Sequence, residues 1–373
     1  VGHTIGLAHN FAASSKGRSS VMDYPHPTLS LNNGEVDFTD AYDTKIGDWD
    51  KVSIAYSYSE FKTDEDANLK SILNDAFNNG ARFIADQDAR PLGSAHAYAH
   101  LWDNGSDVSV ELENLLLIRK NAIANFSKDN IKSNQPYSVL EDVFVPLYFL
   151  HRYQTEGVAK VIGGLDYTYA IKDDGNTIVK RIPGKLERKA LASVIKTLSV
   201  EELAIPKKIL NLFPPRAFNY GRTRESFKSK TGVAFDPFGA VETASSMTLG
   251  LLLHPERVTR LVQHKSLDSS QLGLVEVLDE VIVNSFQKSN KDPYYQELQN
   301  IVNYQVLNHL FHLSSNKNMY WQVNAIVNDK IDKINTLLNN SKKPGIQKIY
   351  HKYMIKMILI IRFYCYPYNR FCT

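Results

Sequence analysis

Near the start of the chain, His3-Thr-Ile-Gly6-Leu-Ala-His9 brings together residue types that could hold a metal ion. Neutral imidazole is a common metal ligand, and a helix presents side chains three or four residues apart on one face. His9 lies six residues beyond His3, so it cannot use the next helical turn without splaying away from a metal at His3. The chain must leave the helix between them. Gly6 suits that exit, because without a Cβ it adopts positive φ at no steric cost and can swing His9 back. Ser20-Val-Met-Asp-Tyr24 follows. There Met22 would supply a soft apolar floor beneath a metal, and Tyr24 a phenol able to reach the metal or a developing oxyanion. Either histidine could also be an ordinary residue at a helix end, and Tyr24 an ordinary turn tyrosine before Pro25. The combination favours a metal site.

This spacing is the second half of the zinc signature H-E-x-x-H-x-x-G-x-x-H, and Met22 stands where a Met-turn would come. Further stretches carry a longer resemblance: Ile46-Gly-Asp-Trp-Asp50 leading into Ile54-Ala-Tyr56, Asp86-Gln-Asp-Ala-Arg-Pro91, Leu101-Trp-Asp-Asn-Gly-Ser-Asp107, His151-Arg-Tyr-Gln154 and Gly164-Leu-Asp-Tyr-Thr-Tyr169. Together they make residues 1 to about 330 resemble the Met-zincin domain of bacterial zinc-dependent metalloproteases. The resemblance implies a mainly α fold: the C-terminal part of a metzincin-like catalytic domain over 1–62, then a multi-helical domain with one small β-hairpin over 63–340. It implies that His3 and His9 are zinc ligands, Met22 the Met-turn residue and Tyr24 a candidate accessory residue. Three protein ligands would leave a fourth position open, as in catalytic rather than structural zinc sites.

The implied activity is hydrolysis of peptide bonds by a zinc-activated water, with a peptide or protein as substrate. The implied location is extracytoplasmic: periplasmic, surface or secreted. The signature's first His and its general-base Glu fall two positions and one position before Val1. The sequence is therefore expected to be a piece cut through the motif, with impaired zinc binding and no hydrolysis of its own. Two rival readings are a catalytically inactive, peptidase-like binding module and a hydrolase of non-peptide amides or esters. The two residues before Val1 discriminate the first, and a peptide library the second.

The elements that must position these residues are legible in outline. Pro25 to Gly47 lacks periodicity and reads as an extended loop. Asp48 is placed to cap a helix over Trp49 to Tyr58, Thr63 or Asp64 a second through Asn78 that Asn79-Gly80 ends, and Ser106 or Asp107 a third to about Phe126. Leu140 to Ile162 reads as one long helix. Leu165 to Ile171 and Thr177 to Ile182 read as a hairpin, and Ser199-x-x-Glu202 as a capping box. Apolar stripes predict further helices near 236–265, 272–287, 293–313 and 318–339.

Other chemistry-bearing groups carry weaker signals. Asp86, Asp88, Asp103 and Asp107 sit in an oxygen-rich region that could hold calcium, although caps and turns are the commoner use of such residues. His96 and His100 share a four-residue spacing but have no Glu between them and follow Gly93-Ser94, which favours a structural or cleft-lining role. Arg216, Arg222, Arg224, Lys228 and Lys230 form a basic loop, better read as surface or ion-paired than as a phosphate site. His309 and His312 read as packing.

Composition bounds the rest. With 43 Lys and Arg against 40 Asp and Glu, the net charge of +3 gives no argument for nucleic acid. Two cysteines, Cys365 and Cys372, make no disulfide framework. No apolar run approaches the ~20 residues that span a bilayer, and no signal peptide can be sought from an internal starting residue. From Lys333 to Thr373 there is no acidic residue. The tail over 341–373 is therefore atypical, consistent with a basic interfacial helix or with a shifted reading frame.

Overall fold

The structure, a computed structural model, describes residues 1–365; Cys372 and its neighbours over 366–373 lie outside the described residues. It is mainly helical, as the sequence predicts. The chain forms two compact units. One comprises Val1–Phe126 and Pro146–Ser193; the other comprises Ser127–Val145 and the chain from Val194 onward.

In the first unit, Val1 to Tyr24 forms three short 3-10 turns, Gly2–Ile5, Ala13–Lys16 and Val21–Asp23. Gly6 ends the first at φ 82°, the left-handed exit its position calls for. The expected loop after Pro25 contains a hairpin, β1 (Ser30–Asn32) and β2 (Glu35–Asp37), with Leu31 opposite Val36. Asn33 and Gly34 between them take φ 51° and 84°, the paired positive values of a type I′ turn, for which Asn-Gly is the preferred dipeptide.

Helix α1 (Asp48–Tyr58) starts one residue earlier than predicted, with Gly47 at the N-cap. It packs on α2 (Glu65–Asn78), which Asn79 and Gly80 end as expected. A single turn, α3 (Asp86–Ala89), precedes α4 (Val108–Ala124), whose cap is Asp107: its Oδ1 accepts from the Ser109 and Val110 amides.

The predicted helix over 140–162 is two helices, α5 (Leu140–Tyr148) and α6 (Arg152–Val161). Pro146 inside α5 lacks the N–H needed by the carbonyl four residues back, which weakens the ladder just before the break. Helix α6 packs on α4, and the one predicted hairpin follows as β3 (Leu165–Tyr167) and β4 (Val179–Arg181), shorter than expected and the second of two. A buried cluster of Phe11, Ala12, Ile84, Ala89, Ala99 and Leu101 fastens the histidine-bearing segment to the rest of the unit. Helix α7 (Gly184–Lys196) follows and carries the unit's last residues up to Ser193.

The second unit is helical: α8 (Val200–Leu203), α9 (Lys207–Leu210), α10 (Pro237–Leu252), α11 (Pro255–Leu267), α12 (Leu274–Val283), α13 (Pro293–Ser314), α14 (Trp321–Asn340) and α15 (Gly345–Cys365). Helix α13 buries Val302, Val306 and Leu310 and packs on both α10 and α14. The stretch predicted as one helix over 236–265 breaks at Leu253–His254. Pro255 holds the preceding residue extended, with His254 at ψ 133°, and itself starts the next helix. Helix α15 lies on α13 and α14 and buries Met354 and Ile358. Among the described residues no helix is long and apolar enough to cross a membrane.

Candidate metal centre

The structure brings His3, His9 and Tyr24 together. His3 Nε2 lies 3.0 Å from His9 Nε2 and 3.0 Å from the Tyr24 hydroxyl. The two imidazoles stand nearly perpendicular, with ring centroids 4.6 Å apart. Each ring's other nitrogen is engaged. His3 Nδ1 donates to the Leu7 carbonyl at 3.0 Å, and His9 Nδ1 donates to Asp86 Oδ2 at 2.7 Å. A carbonyl and a carboxylate can only accept, so both Nδ1 atoms carry a proton, and in the neutral form of the rings both Nε2 atoms present a lone pair. Tyr24 can donate its proton to one of them. In that form the mutual approach of the two lone pairs is left uncompensated.

The surroundings fix this geometry. Tyr24 adopts φ 54°, unusual for a bulky residue, which turns its phenol toward the histidines. Met22 is buried, and its sulfur lies so close to Gly2 that a Cβ there would sit 2.2 Å from it. Asn10 is fully buried. Its backbone N–H donates to the Met22 carbonyl, its side-chain oxygen accepts from the Ala12 and Ile84 amides, and its side-chain nitrogen donates to the Arg82 carbonyl. The other anchor is the start of α1. Asp50 accepts from the Ser20 hydroxyl, the Val21 amide and the Gly47 amide, and Trp49 N–H donates to the Ser19 carbonyl. A Cβ on Gly47 would fall 2.1 Å from that carbonyl oxygen. Sequence reasoning did not identify Asp86, Asn10 or Asp50 in these roles.

Between Met22 and Tyr24, Asp23 turns inward and accepts from the Ser14 amide. Burial, reinforced by nearby Asp103, pushes its carboxyl well above the usual carboxylate range. Burial likewise raises Asp103 to about 7, with the Lys160 ammonium opposing. One oxygen of each carboxyl has no hydrogen-bond partner. The two carboxyls therefore share a buried environment that favours their neutral form.

The remaining candidates disperse. Asp86 is committed to His9 and Arg90, Asp88 accepts from the Tyr167 and Tyr169 hydroxyls, Asp103 is buried beside Asp23, and Asp107 caps α4. His96 is buried, with Nε2 donating to the Tyr167 carbonyl and Nδ1 accepting from the Tyr98 amide; burial lowers it to about 4. His100 is buried elsewhere, 3.8 Å from Glu156, so the two do not act as a pair. In the second unit, Arg216 forms a two-pronged pair with Asp142, Arg222 faces Glu141, Arg224 pairs with Glu225 and Lys230 with Glu242. That is the ion-paired reading of the basic loop. His309 meets Ser246 at 3.1 Å, between α13 and α10.

Among the described residues no three His, Cys, Asp or Glu side chains assemble into a group able to hold a metal. The convergence at the start of the chain consists of two imidazoles and a phenol. Neither the curated proteins nor the solved structures yield a match to this chain. A family model described as Met-zincin matches residues 1–293, which include the histidine segment, the Met22 turn, Asp86 and both hairpins. The chain therefore belongs to the Met-zincin family and carries its metallopeptidase-like domain.

Proposed function

We propose that His3 and His9 are zinc ligands of a metallopeptidase that hydrolyses peptide bonds with a metal-activated water. The observation that carries this reading is the 3.0 Å approach of two Nε2 lone pairs whose partner nitrogens are both tied to acceptors. Such an arrangement calls for a cation between them. The fit is reasonable: with Zn–N bonds of ~2.0–2.1 Å, two ligands of a tetrahedral zinc lie about 3.3 Å apart. The carboxylate behind His9 is the kind of outer partner that fixes a ligating imidazole's tautomer and orientation.

Bound zinc supplies Lewis acidity that brings a water's pKa down to ~7 and polarises a substrate carbonyl. Around it, Leu7 and Asp86 hold the imidazoles in the ligating tautomer, Met22 and Gly2 close the floor, and the half-exposed Tyr24 hydroxyl is within reach of an oxyanion. The His-Glu pair that opens the family signature is not among residues 1–373. Hydrolysis is accordingly proposed for a polypeptide that carries that pair, with a peptide or protein as substrate in an extracytoplasmic compartment.

Zinc titration against a chromophoric chelator tests the metal arm on this chain. The expected result is one zinc per chain, held more weakly than by a three-histidine site and lost in His3→Ala and in His9→Ala. Equal zinc uptake by the wild type and the double variant would remove the proposal's basis.

A further inference from the structure

A cavity of about 700 Å³ opens in the first unit, on the segment that joins the two histidines: Gly6, Leu7 and Ala8 form part of its wall. That volume lies within the range of small-ligand sites. Its other walls set five aromatic rings among polar side chains from α1, α2 and the segment between β3 and β4. Trp49 stacks on Phe83 with centroids 5.5 Å apart and planes 15° from parallel, Phe77 lies 6.4 Å from Trp49, and Tyr169 meets Phe83 edge-on at 5.9 Å. The rings are held in place, since the Tyr169 hydroxyl donates to Asp88 and accepts from the Ala85 amide.

Two features indicate what would fill it. The charged residues on its wall, Lys70, Lys172, Asp173 and Asp174, cancel, which favours an occupant with no net charge. In addition, the Ala8 N–H and carbonyl have no partner among the described residues, although Ala8 is part of the cavity wall. An unpaired main-chain donor and acceptor beside an aromatic pocket match the two needs of an extended peptide, backbone pairing and a seat for one bulky side chain.

We propose that this cavity is a peptide-docking site, distinct from the metal centre, that pairs with the Ala8 main chain and takes a large apolar side chain against Trp49, Phe77 and Phe83. That the natural occupant is a peptide rests on the peptidase reading above; the cavity's preference for a neutral, ring-bearing ligand does not. Because Gly6 to Ala8 link His3 to His9, a peptide held here would lie directly behind the ligand-bearing loop.

The test is calorimetric titration of the 373-residue chain in EDTA, so that neither zinc binding nor hydrolysis enters. The probes are acetyl-Ala-Ala-Phe-Ala-Ala-amide and the same peptide with Glu in place of Phe. The Phe peptide should bind one-to-one and shift the tryptophan emission, and the Glu peptide should bind at least tenfold more weakly. Val52→Trp, which fills the cavity from α1, should weaken the Phe peptide at least tenfold. If that variant loses the wild-type circular dichroism, Leu73→Trp on α2 takes its place. No saturable binding of the Phe peptide, equal affinity for both peptides, or unchanged affinity in a folded filled-cavity variant would each overturn the proposal. A failed zinc titration would leave the peptide result standing, which separates the two readings.

Discussion

At the scale of single residues, the proposed centre depends on proton placement. Asp86 decides which nitrogen of His9 is free, and burial is outweighed by hydrogen bonds from Arg90 and His9 that hold its carboxyl below the usual carboxylate range. Asp86→Asn is therefore expected to weaken zinc binding by about 10–100-fold, the usual consequence of losing a ligand's outer partner. Chelator competition reads the change directly. Unchanged affinity would mean that His9 is oriented by something else. This residue also shows where sequence reading stopped. His3, Gly6 and His9 were recognisable because their spacing is local, whereas Asp86 lies 77 positions from His9 and no pattern in the chain joins them. Within its own Asp86-Gln-Asp-Ala-Arg-Pro91 stretch it looked like a turn or cation residue.

At the scale of elements, what matters is how the start of α1 grips the turn that carries Met22 and Tyr24. Gly47 has φ −76°, which any residue tolerates, so its requirement is close approach and not conformation. A Cβ there meets the Ser19 carbonyl at 2.1 Å and the Ser20 amide at 2.7 Å, and backbone atoms cannot rotate out of the way as a side-chain end can. Gly47→Ala should thus displace the helix start, strain the Asp50 bonds to Ser20 and Val21, and destabilise the protein by about 1–3 kcal/mol. A chemical-denaturation curve measures the loss, and a variant as stable as the wild type would show that α1 does not grip the turn this way. Most of the longer helices were legible because apolar stripes are local, although α7 and α15 were not among those the stripes predicted. The continuity over 236–265 was wrong because the stripe runs on across the point where Pro255 ends one helix and starts the next; the stretch over 140–162 breaks after Tyr148, beyond Pro146, and its stripe also runs on across the gap. The Asn33-Gly34 hairpin was missed although its turn signal was present, since strands of three residues show no periodicity to accompany it.

At the scale of the whole molecule, buried ionisable groups of two kinds set how stability runs with pH, and their signs oppose. Burial lowers His96 to about 4 and takes His100 and His151 well below the ordinary imidazole value. The unfolded chain binds protons on these rings below ~6.5 that the folded chain refuses, so their contribution is lost as pH falls from there. Asp103 acts the other way. Raised to about 7 by burial, it keeps a proton in the folded state that the unfolded chain releases above ~4; its contribution is full below that value and is lost as pH rises toward 7. Asn preserves the shape of the neutral acid and cannot ionise. The midpoint of Asp103→Asn should therefore gain on the wild type between pH 5 and pH 8, by on the order of 5 °C, while the loss at low pH persists in both. Thermal melts at the two pH values decide it. A constant offset would mean that the folded protein already holds Asp103 ionised, and the account of the Asp23 and Asp103 site as a buried environment that favours neutral carboxyls would fail. Neither carboxyl announced this in the sequence. Asp23 sits in the turn of Met22 and Asp103 in a stretch of turn and cap residues, and only the folding of residues 80 positions apart into one buried environment raises them together.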